Sequence, residues 1–435
     1  MQFIQFMLSK LLARKGQLIA VGKVLSVSVL NQVVSSGTNF VLGVYLVRVL
    51  TPAEFGLYGI GFSIALLYSG VGNALFLTQM VVHVPDKAPE DRLPYAARML
   101  VTLASFCWLT IVAAGVVVFS SISAGLLSQS IDIVIAITAT SVFYLLKDFF
   151  VRHAYTVRKE SWALFVNMAI AFVLFLLCLV QHYFFSGISN SLSALWIYAV
   201  SNFAGVVIGL ILVRLPILSV RMQQLFDDAK EAWVGGKWAL GGVFVVWLQT
   251  QAYMYVTAIF MGPIGVGYAN AAKLFITPAL FLIPAIIQVV MPILAEMRVT
   301  NMKKVLKISN IFTVGLVFFG IIYSVLLLAF IKEITMIIIG VSNHEEIMPL
   351  VVSWCFVLIF QLSRTSSSVL LQVTKQFRTI TLVNSVSAFI TIIATVIMMQ
   401  LIAVQGAIIG MALGELVLSY FLFTAVIKLE CSKVN

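Results

Sequence analysis

Long apolar runs separated by short polar breaks recur along the whole chain. A helix rises about 1.5 Å per residue, so about 20 apolar residues are needed to cross the hydrocarbon of a bilayer. Runs of this length predict about twelve membrane-spanning helices. We number them spans 1 to 12: Val24–Val47, Phe55–Val82, Met99–Phe119, Ile131–Val151, Trp162–Phe185, Leu192–Val213, Trp238–Phe260, Gly265–Ile293, Ile308–Ile331, Ile347–Ser368, Ile380–Leu401 and Gln405–Ile427.

The breaks alternate between basic and non-basic. If the N-terminus lies in the cytoplasm, nearly all of the 27 lysines and arginines fall on the cytoplasmic side, and the exceptions are Arg48, Lys332 and the mid-span Lys273. Cytoplasmic loops of membrane proteins are enriched in these residues. The distribution therefore supports the span count and predicts that both termini are cytoplasmic.

Composition leads to the same class of protein. The chain is 62% hydrophobic and 10% charged, whereas soluble domains carry about 25% charged residues. Its net charge of +11 is explained by the cytoplasmic loops, so we expect no nucleic-acid partner. The four cysteines lack the spacing of a disulfide framework or metal site, and we expect neither a metal nor a cofactor.

Two offsets relate the halves of the chain. Six spans per half make the repeat parallel, with its axis along the membrane normal. We therefore predict two six-helix bundles, residues 1–219 and 220–435, around a central cavity. The matched positions are Val157–Asn167 with Thr374–Asn384, Lys147 with Arg364 and Gln32 with Gln249 at offset 217, and Pro52 and Gly56 with Pro263 and Gly267 at offset 211.

The segment between the halves, Arg214–Lys237, carries apolar residues at helical spacing. It predicts an amphipathic helix on the cytoplasmic membrane surface, preceding the second bundle. The apolar positions are Leu218, Met222, Leu225, Phe226, Ala229 and Trp233.

Three segments carry a family resemblance: Arg48–Gly59 (RVLTPAEFGLYG), Gly262–Ala272 (GPIGVGYANAA), and Lys375 to Gly414. With the layout of spans, they resemble the polysaccharide-transporter branch of the multidrug/oligosaccharidyl-lipid/polysaccharide exporter superfamily. The resemblance implies two six-helix bundles around a central cavity. It also implies a non-enzymatic flippase of the bacterial inner membrane.

By that resemblance, the substrate is an undecaprenyl-pyrophosphate-linked oligosaccharide, moved from the cytoplasmic to the outer leaflet as O-antigen translocases do. Membrane lipids and other polysaccharide assembly proteins are the implied partners. The peptidoglycan-precursor flippases of the superfamily typically have two extra spans, for which this chain has no room.

Glu415 is the acid nearest the membrane midplane, about 15 Å into span 12. It follows Gly406, Gly410 and Gly414, a four-residue stripe that permits close helix packing. Ionisable groups inside the membrane are usually functional. We therefore predict a proton- or ion-coupling carboxylate or the partner of a buried cation, with a protonated, hydrogen-bonded packing residue as the alternative.

Lys273 lies about 12 Å into span 8. A cation at this depth can hold a pyrophosphate as a point charge, although the side chain could also snorkel to the outer surface. Because an isolated buried charge is costly, we expect Lys273 and Glu415 to pair in the empty transporter. An arriving pyrophosphate would then release Glu415 to take up a proton.

Further candidate substrate contacts lie near the cytoplasmic ends of the spans and in spans 1 and 7. Lys147, Arg364 and Arg152 form a possible basic mouth, or ordinary cytoplasmic anchors. Polar side chains of spans 1 and 7 can hydrogen-bond to sugar hydroxyls, but such side chains also form hydrogen bonds between helices. These polar residues are Asn31, Gln32, Ser35, Ser36, Thr38 and Asn39, and Gln249, Thr250, Gln251, Tyr253 and Tyr255.

Two other functions compete with the flippase. A multidrug–cation antiporter of the same fold needs buried acids, and span 1 has none. A membrane polymerase or glycosyltransferase needs an outer loop that positions catalytic groups, and the outer loops are short. The chain also lacks the phosphate-binding G-x-x-x-x-G-K-[ST] loop, so we expect a proton or sodium gradient, or substrate supply, to drive transport.

Overall fold

The computed structural model describes residues 2–434 apart from 124–127, 186, 217–221, 282, 285–290, 292–293, 295–296, 298–301, 341–344 and 375. The regular elements of the described residues are all helices, joined by short turns. The helices are α1 Gln2–Val49, α2 Pro52–Gly72, α3 Thr78–His83, α4 Pro89–Ser123, α5 Ser128–Thr156, α6 Glu160–Phe184, α7 Ser191–Val213, α8 Met222–Leu280, α9 Met302–Ala329, α10 Ile331–Ile338, α11 Met348–Val373 and α12 Phe377–Val434.

The twelve-span layout is confirmed. Nine helical stretches in the described chain are long and apolar enough to cross a membrane, and two of them, Ala239–Leu280 and Phe377–Lys428, each hold two predicted spans. Their backbones leave helical geometry at Gly262 and at Ile402–Ala403, where the sequence predicts the breaks. Span 1 lies in α1. Most of span 8 beyond Leu280 falls outside the described residues.

The second span is interrupted. A π-helical turn, Asn73–Leu77, joins α2 to α3, and the first turns of α8 pack against it. A methyl group at Gly236 would come within 2.8 Å of the carbonyl oxygen of Ala74. The absence of a side chain at this position thus brings α8 close to the interrupted helix.

The predicted linker helix begins at Met222, and α8 continues from there into span 7. Asp228 is buried and pairs with Arg98 of α4, whereas Phe226 and Trp233 are exposed. This amphipathic segment therefore contacts the first half of the chain through its polar side. Leu218 and the predicted boundary between residues 219 and 220 lie outside the described residues.

Farther along, α2 and α8 cross through a reciprocal pair of contacts formed by Pro52, Gly56, Pro263 and Gly267. We call it the outer crossing, because the orientation predicted from the basic residues puts it on the outer side. A methyl group at Gly56 would overlap the carbonyl oxygen of Pro263, and one at Gly267 would overlap the carbonyl oxygen of Pro52. Because these are the residues matched at offset 211, each half presents the same backbone surface to the other. Such reciprocity is the mark of a two-fold axis.

The last two spans pack equally closely. Methyl groups at Gly406 and Gly410 would clash with the backbone of Met398 and Thr395 on the preceding span. Ser387 donates a hydrogen bond to the carbonyl oxygen of Gly414 (2.7 Å). The predicted role of the glycine stripe in close helix packing is confirmed.

Candidate functional site

A chamber of about 180 Å³ lies between spans 1, 2, 7 and 8, next to the outer crossing. Its wall combines aromatic and polar side chains with a single charged one, Lys273, among the described residues that line it. These residues are Asn39, Gly43, Phe55, Tyr58, Gly59, Phe62, Ser63, Leu66, Gln251, Met254, Asn270, Lys273, Leu274 and Thr277.

Both repeats contribute matched positions to the chamber. At offset 211, four lining residues of α2 correspond to four of α8. The pairs are Gly59 with Asn270, Phe62 with Lys273, Ser63 with Leu274 and Leu66 with Thr277. The chamber is thus lined by positions matched at the same offset as those of the outer crossing.

Lys273 is held by aromatic rings. Its Nζ lies 5.4 Å from the ring centres of both Tyr253 and Trp354, and 3.5 Å from the Tyr253 hydroxyl. Rings at this distance attract a cation through their quadrupoles, but they do not neutralise its charge. An anion in the chamber would therefore find a positively charged partner.

The aromatic support is itself fixed in place. The Tyr253 hydroxyl donates to Oδ1 of Asn270 (2.7 Å), and Trp354 Nε1 donates to the carbonyl oxygen of Ala269 (2.9 Å). The two rings meet edge to face. These bonds connect spans 7, 8 and 10 behind Lys273 and limit where its ammonium group can move.

The expected pairing of Lys273 with Glu415 is wrong. Glu415, with a fully buried side chain, pairs instead with Arg364 of α11 (Nε–Oε2 2.5 Å), and Gln361 donates to its other oxygen (3.1 Å). The sequence analysis placed Arg364 at the cytoplasmic mouth and did not predict this contact. Close packing of α11 on α12 brings the Arg364 side chain to the Glu415 carboxylate. Lys273 is thereby left without that carboxylate.

Lys147, the repeat partner of Arg364, also forms a buried ion pair. Its Nζ lies 2.8 Å from Oδ1 of the adjacent Asp148, whose other oxygen accepts a hydrogen bond from Ser69 of α2 (2.8 Å). Of the three predicted mouth cations, Lys147 and Arg364 therefore pair with carboxylates within their own half.

The remaining predicted contacts lie elsewhere. Arg152 is exposed near the end of α5, and Gln32 bonds to Ser36 one turn along α1 (2.8 Å). Gln249 is buried, and its amide nitrogen has no hydrogen-bond partner among the described residues. The structure does not bring these side chains into the chamber lining.

Two chamber residues of spans 1 and 7, Asn39 and Gln251, belong to the polar sets predicted from sequence. Asn270 and Ser63 were not predicted as contacts. The one sequence signal for Asn270 is the 211 offset, at which it matches Gly59. In the structure these two residues are in contact, and a methyl group at Gly59 would overlap the Asn270 amide.

Beside the chamber, a groove of about 560 Å³ lies along span 7 toward the predicted cytoplasmic side. Leu66 and Gln251 line both spaces. Most other groove residues are apolar, including Val243 and Ile380, and Asn384 adds a polar group from α12. The chamber thus shares part of its wall with a wider space away from the outer crossing.

The described chain thus combines the twelve-span layout with a chamber where spans of its first and second halves meet, an arrangement common among secondary transporters. No protein-family model and no curated protein matches the sequence. Among solved structures, the chain is similar to a multidrug resistance MATE family transporter of the MOP superfamily in its inward-facing conformation. The TM-score is 0.70 at 13% identity, over 93% of this chain and 96% of that one.

The chain is also similar to the lipid II flippase MurJ in its inward closed conformation, with a TM-score of 0.69 at 12% identity over 91% and 87% of the two chains. A third similar structure is a MOP superfamily transporter from Pyrococcus furiosus, for which reverse polarity of the binding pocket suggests a different function. Its TM-score is 0.63 at 13% identity, over 94% of each chain. The protein therefore has the twelve-helix fold of MOP superfamily transporters.

Proposed function

We propose that the protein is a flippase for a lipid carrying a phosphorylated oligosaccharide, with Lys273 as the contact for the phosphate. The observation that carries this proposal is the charge of the chamber. Lys273 is the one charged side chain among its described lining residues. A phosphate gains from this cation, whereas a cationic drug is repelled by it.

The other lining groups suit the rest of such a headgroup. Asn39, Gln251 and Asn270 offer both donors and acceptors to sugar hydroxyls. Tyr58 and Phe62 stack with ring centres 6.1 Å apart and nearly parallel planes, and both line the chamber. Because the lipid tail can remain in the bilayer, only the polar headgroup needs shelter from about 30 Å of hydrocarbon.

Within this proposal, the substrate is an undecaprenyl-pyrophosphate-linked unit of O-antigen or another surface polysaccharide, moved across the bacterial inner membrane in steps of alternating access. A proton or sodium gradient drives the cycle, and Glu415 is the candidate coupling carboxylate. Similarity to both MATE transporters and MurJ is compatible with a cation antiporter as well, so the chamber charge is the discriminating feature.

The test compares two probes in proteoliposomes: a fluorescent polyprenyl pyrophosphate and the lipophilic cation tetraphenylphosphonium. A charge-assisted contact contributes about 1.5–3 kcal/mol, so Lys273→Gln should weaken pyrophosphate binding by about 10- to 100-fold. Lys273→Arg should retain most of it. Lys332→Gln, which removes an exposed lysine, is the matched control.

The two probes also separate the competing functions. If the protein is a flippase, the wild type binds the polyprenyl pyrophosphate and the Lys273→Gln variant loses this binding. If the wild-type protein instead transports tetraphenylphosphonium, and Lys273→Gln improves that transport, the protein is a cation antiporter and the proposal fails.

A further inference from the structure

The outer crossing is a tight backbone contact between α2 and α8. Gly56 and Gly267 face carbonyl oxygens of the opposite helix, so no side chain of these residues interdigitates there. Contacts of Cα–H groups with carbonyl oxygens are individually weak, about 0.5–1 kcal/mol each. A methyl group on either glycine would therefore keep the two helices from closing to this distance.

Adjacent backbone geometry provides a place for movement. Gly262 has φ 67° and ψ −172°, a conformation open essentially to glycine. It immediately precedes Pro263 of the crossing. A glycine at a helix junction is a position where a change of φ and ψ can swing the following helix.

A second contact between the halves lies at the same end. Arg48, near the end of α1, donates hydrogen bonds to the carbonyl oxygens of Ile337 and Ile338 (the latter 3.1 Å) at the last turn of α10. A cation is favourable at this end of a helix. Arg48 is exposed, so this contact is accessible to water and easily exchanged.

We infer that the outer crossing is the outer gate of the chamber, closed by the reciprocal contacts of Gly56 and Gly267, secured by Arg48 and hinged at Gly262. Opening separates Pro52 from Gly267 and Pro263 from Gly56 together, because the two contacts are related by one axis. The inference goes beyond the proposed function, since it holds for any substrate of the chamber.

The test measures access to the chamber from outside. In a variant without native cysteines, Thr277→Cys places a thiol in the chamber wall, and right-side-out vesicles are treated with a membrane-impermeant maleimide. Gly56→Ala and Gly267→Ala should each raise the labelling rate about ten-fold or more by disfavouring the closed state. Gly241→Ala, on the same helix with nothing near its added methyl group, should leave the rate unchanged.

An unchanged rate in both crossing variants, with folded protein by size-exclusion chromatography, overturns the inference. Should neither variant be recovered folded, Arg48→Gln decides: faster labelling supports the gate, and an unchanged rate rejects it. Labelling requires no substrate. The gate can therefore fail while the Lys273 results stand, and the reverse is equally possible.

Discussion

At the scale of single residues, the Arg364–Glu415 pair determines what a mutation at Glu415 reports. Glu415 is fully buried and Arg364 is largely so. Removing one partner of such a pair leaves an uncompensated charge and costs about 3–5 kcal/mol, whereas replacing both partners is often nearly neutral. Loss of transport in a single variant would therefore combine instability with any loss of ion coupling.

We predict that Glu415→Gln and Arg364→Gln each lower membrane abundance and the unfolding temperature in detergent, and that the double variant recovers most of both. The physical reason is that neither charge remains unpaired in the double variant. Transport is then measured in that folded protein. Ion-driven transport at the wild-type rate would show that Glu415 is not the coupling carboxylate.

The sequence located Glu415 but not its partner. Depth along span 12 follows from counting residues, because a helix has a fixed rise. Which cation meets the carboxylate depends on how α11 packs on α12, and this is a tertiary contact without a local sequence pattern. Lys273 and Arg364 were both available to Glu415, and only the packing distinguishes them.

At the scale of helices, apolar length and small residues predicted most of the observed architecture. The breaks at Gly262 and Ile402–Ala403 fall between predicted spans because polar or conformationally special residues interrupt the apolar runs there. The π-helical turn at Asn73–Leu77 was not predicted. Span 2 reads as one long apolar run, and an extra residue in one of its turns does not interrupt that run. The hydrophobic pattern therefore does not indicate a π-helical turn.

The glycine stripe of span 12 gives a prediction at this scale. An added methyl group at Gly410 would overlap backbone atoms of Thr395, which cannot move aside as a side chain can. Gly410→Ala should lower the unfolding temperature, although alanine normally favours a helix over glycine by about 1 kcal/mol.

Gly315→Ala in α9 is the control, because nothing lies within 4 Å of its added methyl group. It should leave the unfolding temperature unchanged or raise it. Equal effects of the two substitutions would mean that spans 11 and 12 are not closely packed at Gly410.

At the scale of the whole molecule, orientation in the membrane follows from the distribution of Lys and Arg alone. Fusions to a fluorescent protein and to alkaline phosphatase should report cytoplasm at Lys87 and Arg158, and the outside at Gly187. The measurement is paired fluorescence and phosphatase activity in intact cells. Two fusions reporting the opposite side would contradict the predicted orientation and the side assigned to the outer gate.

Residues matched at offset 211 differ in the chamber wall but are identical at the outer crossing. If the two halves were identical, a substrate could bind in either of two orientations of equal free energy. With an aromatic ring at Phe62 and a cation at Lys273, the two orientations are no longer equivalent. A molecule with one anionic end therefore binds with that end toward the half that carries Lys273, although the two helices that form the crossing present the same backbone surface to each other.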